Sequence, residues 1–271
     1  MQHSPSSNTP NNQPLGIYNS GRTWSWPIFS GPLDASRHDR DAVGTLSMVM
    51  YREKLILVTA YHVIREWQHT TLASPIGTGW RIRPLNMFDW RMLKTGVTDL
   101  KKDGDYDLSF AVINPEQAEL IESSLAVQLI RASKIMKPFK GILNGYPAKR
   151  NNRYSVKNRG KAEPVYYELI HSGVVPEICP PYLKERYTGL INFSWSTDST
   201  TRLTATGFRD IGKAPEPAGV SGGPVFYCED LKTSQRNFAP TNTVIGFLIE
   251  YQRTNKQLVT VMSDILIESL K

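Results

Sequence analysis

Three widely separated residues constrain this chain more than anything else in it: a histidine closing one apolar run, an aspartate opening another, and a serine set among glycines. The histidine is His62, at the end of Leu55-Ile56-Leu57-Val58-Thr59-Ala60-Tyr61-His62. That apolar, β-branched run predicts a buried strand. The aspartate is Asp107, at the head of Asp107-Leu108-Ser109-Phe110-Ala111-Val112. The serine is Ser221, inside Gly219-Val220-Ser221-Gly222-Gly223-Pro224. Glycine permits the backbone angles of a tight turn and leaves the approach to a serine hydroxyl open. Taken alone, the run is also the composition of an ordinary turn. Together the three supply a nucleophile, a base and an orienting acid in the order His, Asp, Ser.

Each role has rivals. His3, His38 and His69 lie in polar sequence that reads as exposed, and His171 ends an alternating stretch that reads as a strand face. Asp103 and Asp105 compete for the acidic role. Asp105 would share a strand face with Asp107, because side chains repeat every two residues, and it stays the second choice.

These segments resemble the chymotrypsin/trypsin-like serine peptidases. Thr59-Ala60-Tyr61-His62 is similar to that family's Thr-Ala-Ala-His, and Asp107-Leu108-Ser109-Phe110 to its Asp-Ile-Ala-Leu. Gly219 to Pro224 matches Gly-Asp-Ser-Gly-Gly-Pro except at Val220. Gly44-Thr45-Leu46 resembles the family's strand-opening Gly-(Ser/Thr)-Leu, and Gly145-Tyr146-Pro147 a segment of bacterial members. The resemblance extends over about residues 40 to 265. It implies an all-β fold of two packed antiparallel six-stranded β-barrels with a short C-terminal helix. The expected division is a tail over 1–22, a first barrel over 23–130 carrying His62 and Asp107, and a second over 131–271 carrying Ser221.

What the resemblance implies for chemistry is equally concrete. Ser221 would attack a peptide carbonyl, His62 would move the proton, and Asp107 would fix the imidazole. The N–H groups of Gly219 and Ser221 would form the oxyanion hole. The specificity pocket would be floored at Pro215, six residues before the serine, with Glu216 beside it. Ile249, Glu250 and Tyr251 would line the wall that pairs with substrate. No aspartate stands at the pocket floor, so a basic preference would need Glu216, Asp210 or Glu250, and an apolar or small side chain is equally admissible. The expected partners are a protein or peptide substrate and a regulatory protein. No cofactor and no metal are expected.

Departures from the pattern add to this. Val220 stands where trypsin-like zymogens carry the aspartate that pairs with a freshly cut N-terminus, so that switch is absent. Cys179 and Cys228 are the only cysteines, and neither flanks His62. They read as two buried thiols, with one bridge as the alternative. No zinc-ligand spacing accompanies them. The polar stretch from Met1 to Ser20 has no basic-then-apolar leader, and no apolar run spans a bilayer. The expectation is a cytoplasmic, bacterial protein, acting in stress or antiviral defence by family analogy alone.

A formal charge of +7, from 32 basic and 25 acidic residues, is concentrated between Lys149 and Lys161. That cluster admits a nucleic-acid or acidic-partner patch. The favoured reading is a solvated hairpin loop, since no RNA-recognition motif accompanies it. A non-catalytic or nucleic-acid-binding module on a peptidase scaffold is therefore the alternative function. The sequence also places Trp24-Ser25-Trp26-Pro27 as a segment docked on the first barrel's surface, and it predicts a helix from a capping Ser263 onward.

Overall fold

The unbroken apolar run from Leu55 to Val58 is explained by burial on both of its faces. Leu55 and Leu57 pack in one cluster with Trp26, Leu46 and Phe88, whereas Ile56 and Val58 pack in another with Leu108, Phe110 and Phe247. A strand sends successive side chains to opposite faces. One covered on both sides therefore needs an apolar residue at every position. Each such fully buried side chain contributes about 1.5–3 kcal/mol.

The computed structural model describes residues 25–30, 41–66, 71–76, 79–94, 105–118, 126–135, 140–151, 170–176, 190–204, 207–212, 216–228, 243–254 and 256–271. The first strands are β1 (Ser25–Phe29), β2 (Ala42–Tyr51), β3 (Lys54–Ala60), β4 (Thr71–Ile76), β5 (Gly79–Pro84), β6 (Arg91–Lys94) and β7 (Asp105–Val112). After β8 (Val127–Leu129) come β9 (Lys140–Gly145), β10 (Ile170–Pro176), β11 (Leu190–Thr204), β12 (Gly207–Gly212), β13 (Pro224–Cys228), β14 (Thr243–Gln252) and β15 (Gln257–Met262). Four short α-helices, α1 (Tyr61–Glu66), α2 (Pro115–Ala118), α3 (Ala148–Asn151) and α4 (Ser263–Ser269), and two single 3-10 turns, Leu85–Met87 and Ala132–Lys134, complete the described elements. None of the described helices is long and apolar enough to cross a membrane.

The expected all-β character with a short C-terminal helix is what the chain adopts. Among the described residues, strands β1 to β7 pair only with one another and with β8, and β9 to β15 likewise. Their pairings are antiparallel except those of β8, which runs parallel to β2 at Val49↔Val127 and to β14 at Thr243↔Gln128. Thus β8 joins two groups of strands into one hydrogen-bonded network. The sequence reading expects six strands per group, and the described residues hold seven in each. A shared cluster draws on both groups, with Val49, Ile56, Val58 and Leu108 from one, Phe226, Val244 and Phe247 from the other, and Leu266 from α4.

Several expectations are corrected here. Ser25 to Pro27 does not dock on the barrel surface: Ser25 to Phe29 is a strand, and Trp26 is a wholly buried core residue, while Trp24 lies outside the described residues. Two strands expected at 189–196 and 202–208 are one long strand, β11, followed by β12. The polar stretch Thr197 to Thr201, left between the two expected strands, continues in strand because β11 changes partners along its length. Leu190 to Ser194 pairs with β15, and Thr200 to Thr204 pairs with β12. Ser263 does not cap α4. Its hydroxyl donates to the Ile130 carbonyl and accepts the Ala132 N–H, so it docks the helix instead. The tail over 1–22, Pro215, Cys179, His3, His38, His69 and the basic stretch beyond Asn151 lie outside the described residues.

Candidate active site

Strand register brings His62 and Asp107 together. In the antiparallel pairing of β3 with β7, Thr59 faces Ser109 and Ala60 faces Leu108. The end of β3 therefore meets the start of β7, and the first turn of α1 places His62 beside Asp107. The β6–β7 register slips at this point: from Met92↔Ser109 to Lys94↔Asp105, β6 advances two residues and β7 four. Asp107 sits inside that irregularity with φ at +48°. Aspartate tolerates the left-handed region better than most residues, and such irregularities re-aim side chains near sites.

The carboxylate holds the histidine at two points. Oδ1 accepts the His62 backbone N–H at 2.9 Å, and Oδ2 lies 2.7 Å from Nδ1. An ionised carboxylate only accepts hydrogen bonds. The proton of the pair is thus placed on Nδ1, and the ring cannot rotate without losing the bond. Both side chains remain about one third exposed, at 37% for His62 and 35% for Asp107. Burial pushes the hydroxyl of Tyr106, the residue before Asp107, above its usual pKa. Asp105, the second choice for the acid, opens β7 opposite Lys94. His171 lies on β10, opposite Asn144 and Thr201.

Ser221 lies in a turn whose carbonyls are all held. Four consecutive carbonyl groups accept bonds: Ala218 from the Ala148 N–H at 2.7 Å, Gly219 from the Thr45 hydroxyl at 3.3 Å, Val220 from the Gly223 N–H at 2.7 Å, and Ser221 from the Thr45 N–H at 2.8 Å. The N–H groups of Val220 and Gly222 donate inward, to Pro217 and Leu248. Those of Gly219 and Ser221 donate to no backbone acceptor among the described residues. A planar trans peptide points its N–H opposite to its C=O, so fixing the carbonyls of 218 and 220 also fixes the directions of these two N–H groups.

Glycine is required at two places in this turn. Gly219 has φ +86°, and a Cβ there would stand 2.6 Å from the Ala148 nitrogen. Gly222 has φ +90°, and a Cβ there would stand 2.2 Å from the Thr45 carbonyl oxygen and 2.5 Å from the Thr59 hydroxyl. The turn therefore presses against Thr59, three residues before His62. Buried hydroxyls complete this seam, with Thr59 donating to the Thr45 carbonyl at 2.9 Å and Ser47 to the Gly222 carbonyl at 2.6 Å. Val220, where the resemblance calls for aspartate, is wholly buried in an apolar cluster with Leu143, Ile245 and Leu248.

The remaining predicted residues are placed as follows. Strand β14 runs beside the turn, because Gly222 donates to Leu248 and Leu248 donates back to Gly223. A bulge between Leu248 and Glu250 then redirects the strand. Ile249 is 4% exposed and belongs to the shared core, Glu250 is exposed, and Tyr251 is half-buried against the Val220 cluster. Glu216 is bound by Arg253, with Nε to Oε1 at 3.1 Å. Asp210 lies on β12 opposite Thr201. No cluster of three or more metal-ligating side chains occurs among the described residues. Sequence reasoning missed Thr45 and Arg253 as neighbours of this site. For Thr45 the signal was available in the polar residues interrupting otherwise apolar strands, since a buried hydroxyl must find a partner.

No protein-family model matches the chain, and no curated protein matches it by sequence. Solved structures do. A thermostable serine protease, AL20, from an extremophilic microorganism is similar over 91% of this chain and 94% of its own, at 12% identity and a TM-score of 0.50. Neuropsin, a serine protease expressed in the limbic system of mouse brain, is similar over 92% and 95%, at 12% identity and 0.51. Human heparin binding protein is similar over 93% of each chain, at 10% identity and 0.51. The likeness shows a chymotrypsin-like fold.

Proposed function

We propose that the chain is a serine endopeptidase in which Ser221 is the nucleophile, His62 the base and Asp107 the orienting acid. The observations that carry this reading are the two-point hold of Asp107 on His62 and a glycine turn, packed on Thr59, whose Gly219 and Ser221 N–H groups donate to no backbone acceptor among the described residues. In this reading the Ser221 hydroxyl attacks a peptide carbonyl carbon while its proton passes to His62 Nε2. The C–N bond then breaks, and the proton goes to the leaving amine. Water, deprotonated by the same nitrogen, releases the acyl group. The N–H groups of Gly219 and Ser221 would bind the oxyanion, and losing one such donor typically lowers turnover by about 10²–10³.

In the same reading each group of strands forms one barrel of a pair, divided near residues 130 and 131. The pocket lies between the segment ending at Ser221 and the wall of Ile249 to Tyr251, with Pro215 at its floor. Glu216 is engaged by Arg253, which favours a neutral side chain before the scissile bond over a basic one. Cytoplasmic residence, a bacterial source and gating by a partner protein belong to this proposal too. They are supported by the low cysteine content and by Val220 in place of the activation aspartate.

A fluorophosphonate probe tests the reading. The protein should label without proteolytic trimming, Ser221→Ala should not label while keeping its unfolding midpoint, and a peptide library should be cut after neutral residues. Labelling that persists in Ser221→Ala would identify a different nucleophile, and a wild-type protein that never labels would favour the non-catalytic alternative.

A further inference from the structure

We propose that Thr45 is the positioning residue of this site, acting through its side-chain hydroxyl on the turn that carries Ser221. The inference rests on the peptidase reading above and adds a residue to it. Thr45 is wholly buried and uses all of its polar groups. Its N–H holds the Ser221 carbonyl and its own carbonyl accepts the Thr59 hydroxyl. Its Oγ1 does two things at once, accepting the Tyr146 N–H at 3.1 Å and donating to the Gly219 carbonyl at 3.3 Å. Three stretches of chain therefore converge on one residue: the strand leading to His62, the end of β9, and the turn itself.

The hydroxyl matters because of where it acts. Gly219 is the most conformationally free residue of the turn, and the peptide unit following it is the one that Oγ1 restrains. The backbone bonds of Thr45 would survive replacement of its side chain, but the hold on Gly219 would not. Without it, the peptide between Gly219 and Val220 keeps one restraint instead of two, the Val220 N–H bond to the Pro217 carbonyl at 2.9 Å, and the turn that carries the Gly219 and Ser221 N–H groups is looser. In zymogens of the resembled family, that turn is set only on activation, when the aspartate pairs with a freshly cut N-terminus. Here Val220 is buried among apolar side chains, and a neutral hydroxyl already present in the folded chain supplies the hold.

The test compares Thr45→Val, which keeps the shape, with Thr45→Ser, which keeps the hydroxyl. In Thr45→Val the rate of labelling by a fluorophosphonate, and kcat on a cleaved peptide, should fall about tenfold to hundredfold, the loss expected for a misplacement near the chemistry. The shape of the pH profile should stay unchanged, because His62 is not touched. Thr45→Ser should come within about threefold of wild type. A folded Thr45→Val with wild-type labelling overturns the inference, as does a folded Thr45→Ser that falls as far as the valine variant. Hydrogen exchange of the peptide covering 217–223 reads the hold independently of activity. It should speed up in Thr45→Val, or in Thr45→Ala if the valine variant does not fold, but not in Thr45→Ser. Unchanged exchange overturns the inference even if the wild type proves inactive and the peptidase reading fails.

Discussion

Two buried joints hold this molecule together, and they are built from opposite materials. The joint beneath Ser221 is neutral throughout: Thr45, Ser47 and Thr59 meet the glycine turn, and Ser25 bonds Asn144 while its carbonyl accepts the Tyr146 hydroxyl at 3.0 Å. The joint beneath α4 is charged. Asp264, 4% exposed, accepts the Ser133 N–H at 3.0 Å and the Ser133 hydroxyl. Arg131 lies 3.7 Å from Asp264 and 2.6 Å from Glu268, which also binds Lys271. Charged groups make stronger bonds but tie the joint to pH and salt. Neutral ones make weaker bonds that do not change as protons move. In the peptidase reading proposed above, a base that gains and loses a proton each turnover would be better seated on the second kind.

The comparison can be broken at its strongest point first. Asp264→Ala removes the acceptor for Ser133 and Arg131. Since hydrogen bonds to a charged group are worth about 1.5–3 kcal/mol each, the expected loss in urea unfolding is about 3 kcal/mol. Fluorophosphonate labelling of the folded fraction should be unaffected, because α4 contributes nothing to the turn. Next, Thr59→Val leaves the buried Thr45 carbonyl short of a donor, and it should cost about 1–2 kcal/mol. That cost should be equal at neutral and mildly acidic pH. If it exceeds the cost of Asp264→Ala, or varies with pH, the two joints do not differ in the way described.

The smallest effect concerns Glu268. Hydrogen bonding to Lys271, and then to Arg131, holds its carboxyl below the usual carboxylate range. A depressed folded value means that its contribution is present above the unfolded value and is lost as pH falls through the folded one. The group is exposed, so the effect should be slight. Glu268→Gln should unfold at a slightly lower temperature than wild type near neutral pH, and the two should converge in acid. A gap that widens on acidification would contradict the assignment.

How much of this was legible depends on whether a segment's own composition states its environment. The run from Leu55 to Val58 announces burial because every residue in it is apolar. Strand β1 was not legible, since Pro27 reads as a breaker. It is tolerated because β1 pairs with β4 only from Ile28 onward, so Pro27 owes no hydrogen bond on that side. Strand β8 hid in a connection, being three residues long and running parallel to partners remote in sequence. The pairing of Glu216 with Arg253 joins loops that no local pattern relates.

By itself, the amino-acid order determined the strand-rich character of the chain, the apolar cores, and the identity of His62, Asp107 and the glycine-flanked Ser221 as candidates. These follow from side-chain chemistry and from periodicity, both of which are local. Only the tertiary structure decided that the β3–β7 register sets Asp107 against His62, that Thr45 holds the turn, and that Arg253 occupies Glu216. Hydrogen-bond partners remote along the chain are chosen by which strands pair and in which register, and that choice is made by the packing of the whole molecule rather than by any segment of it.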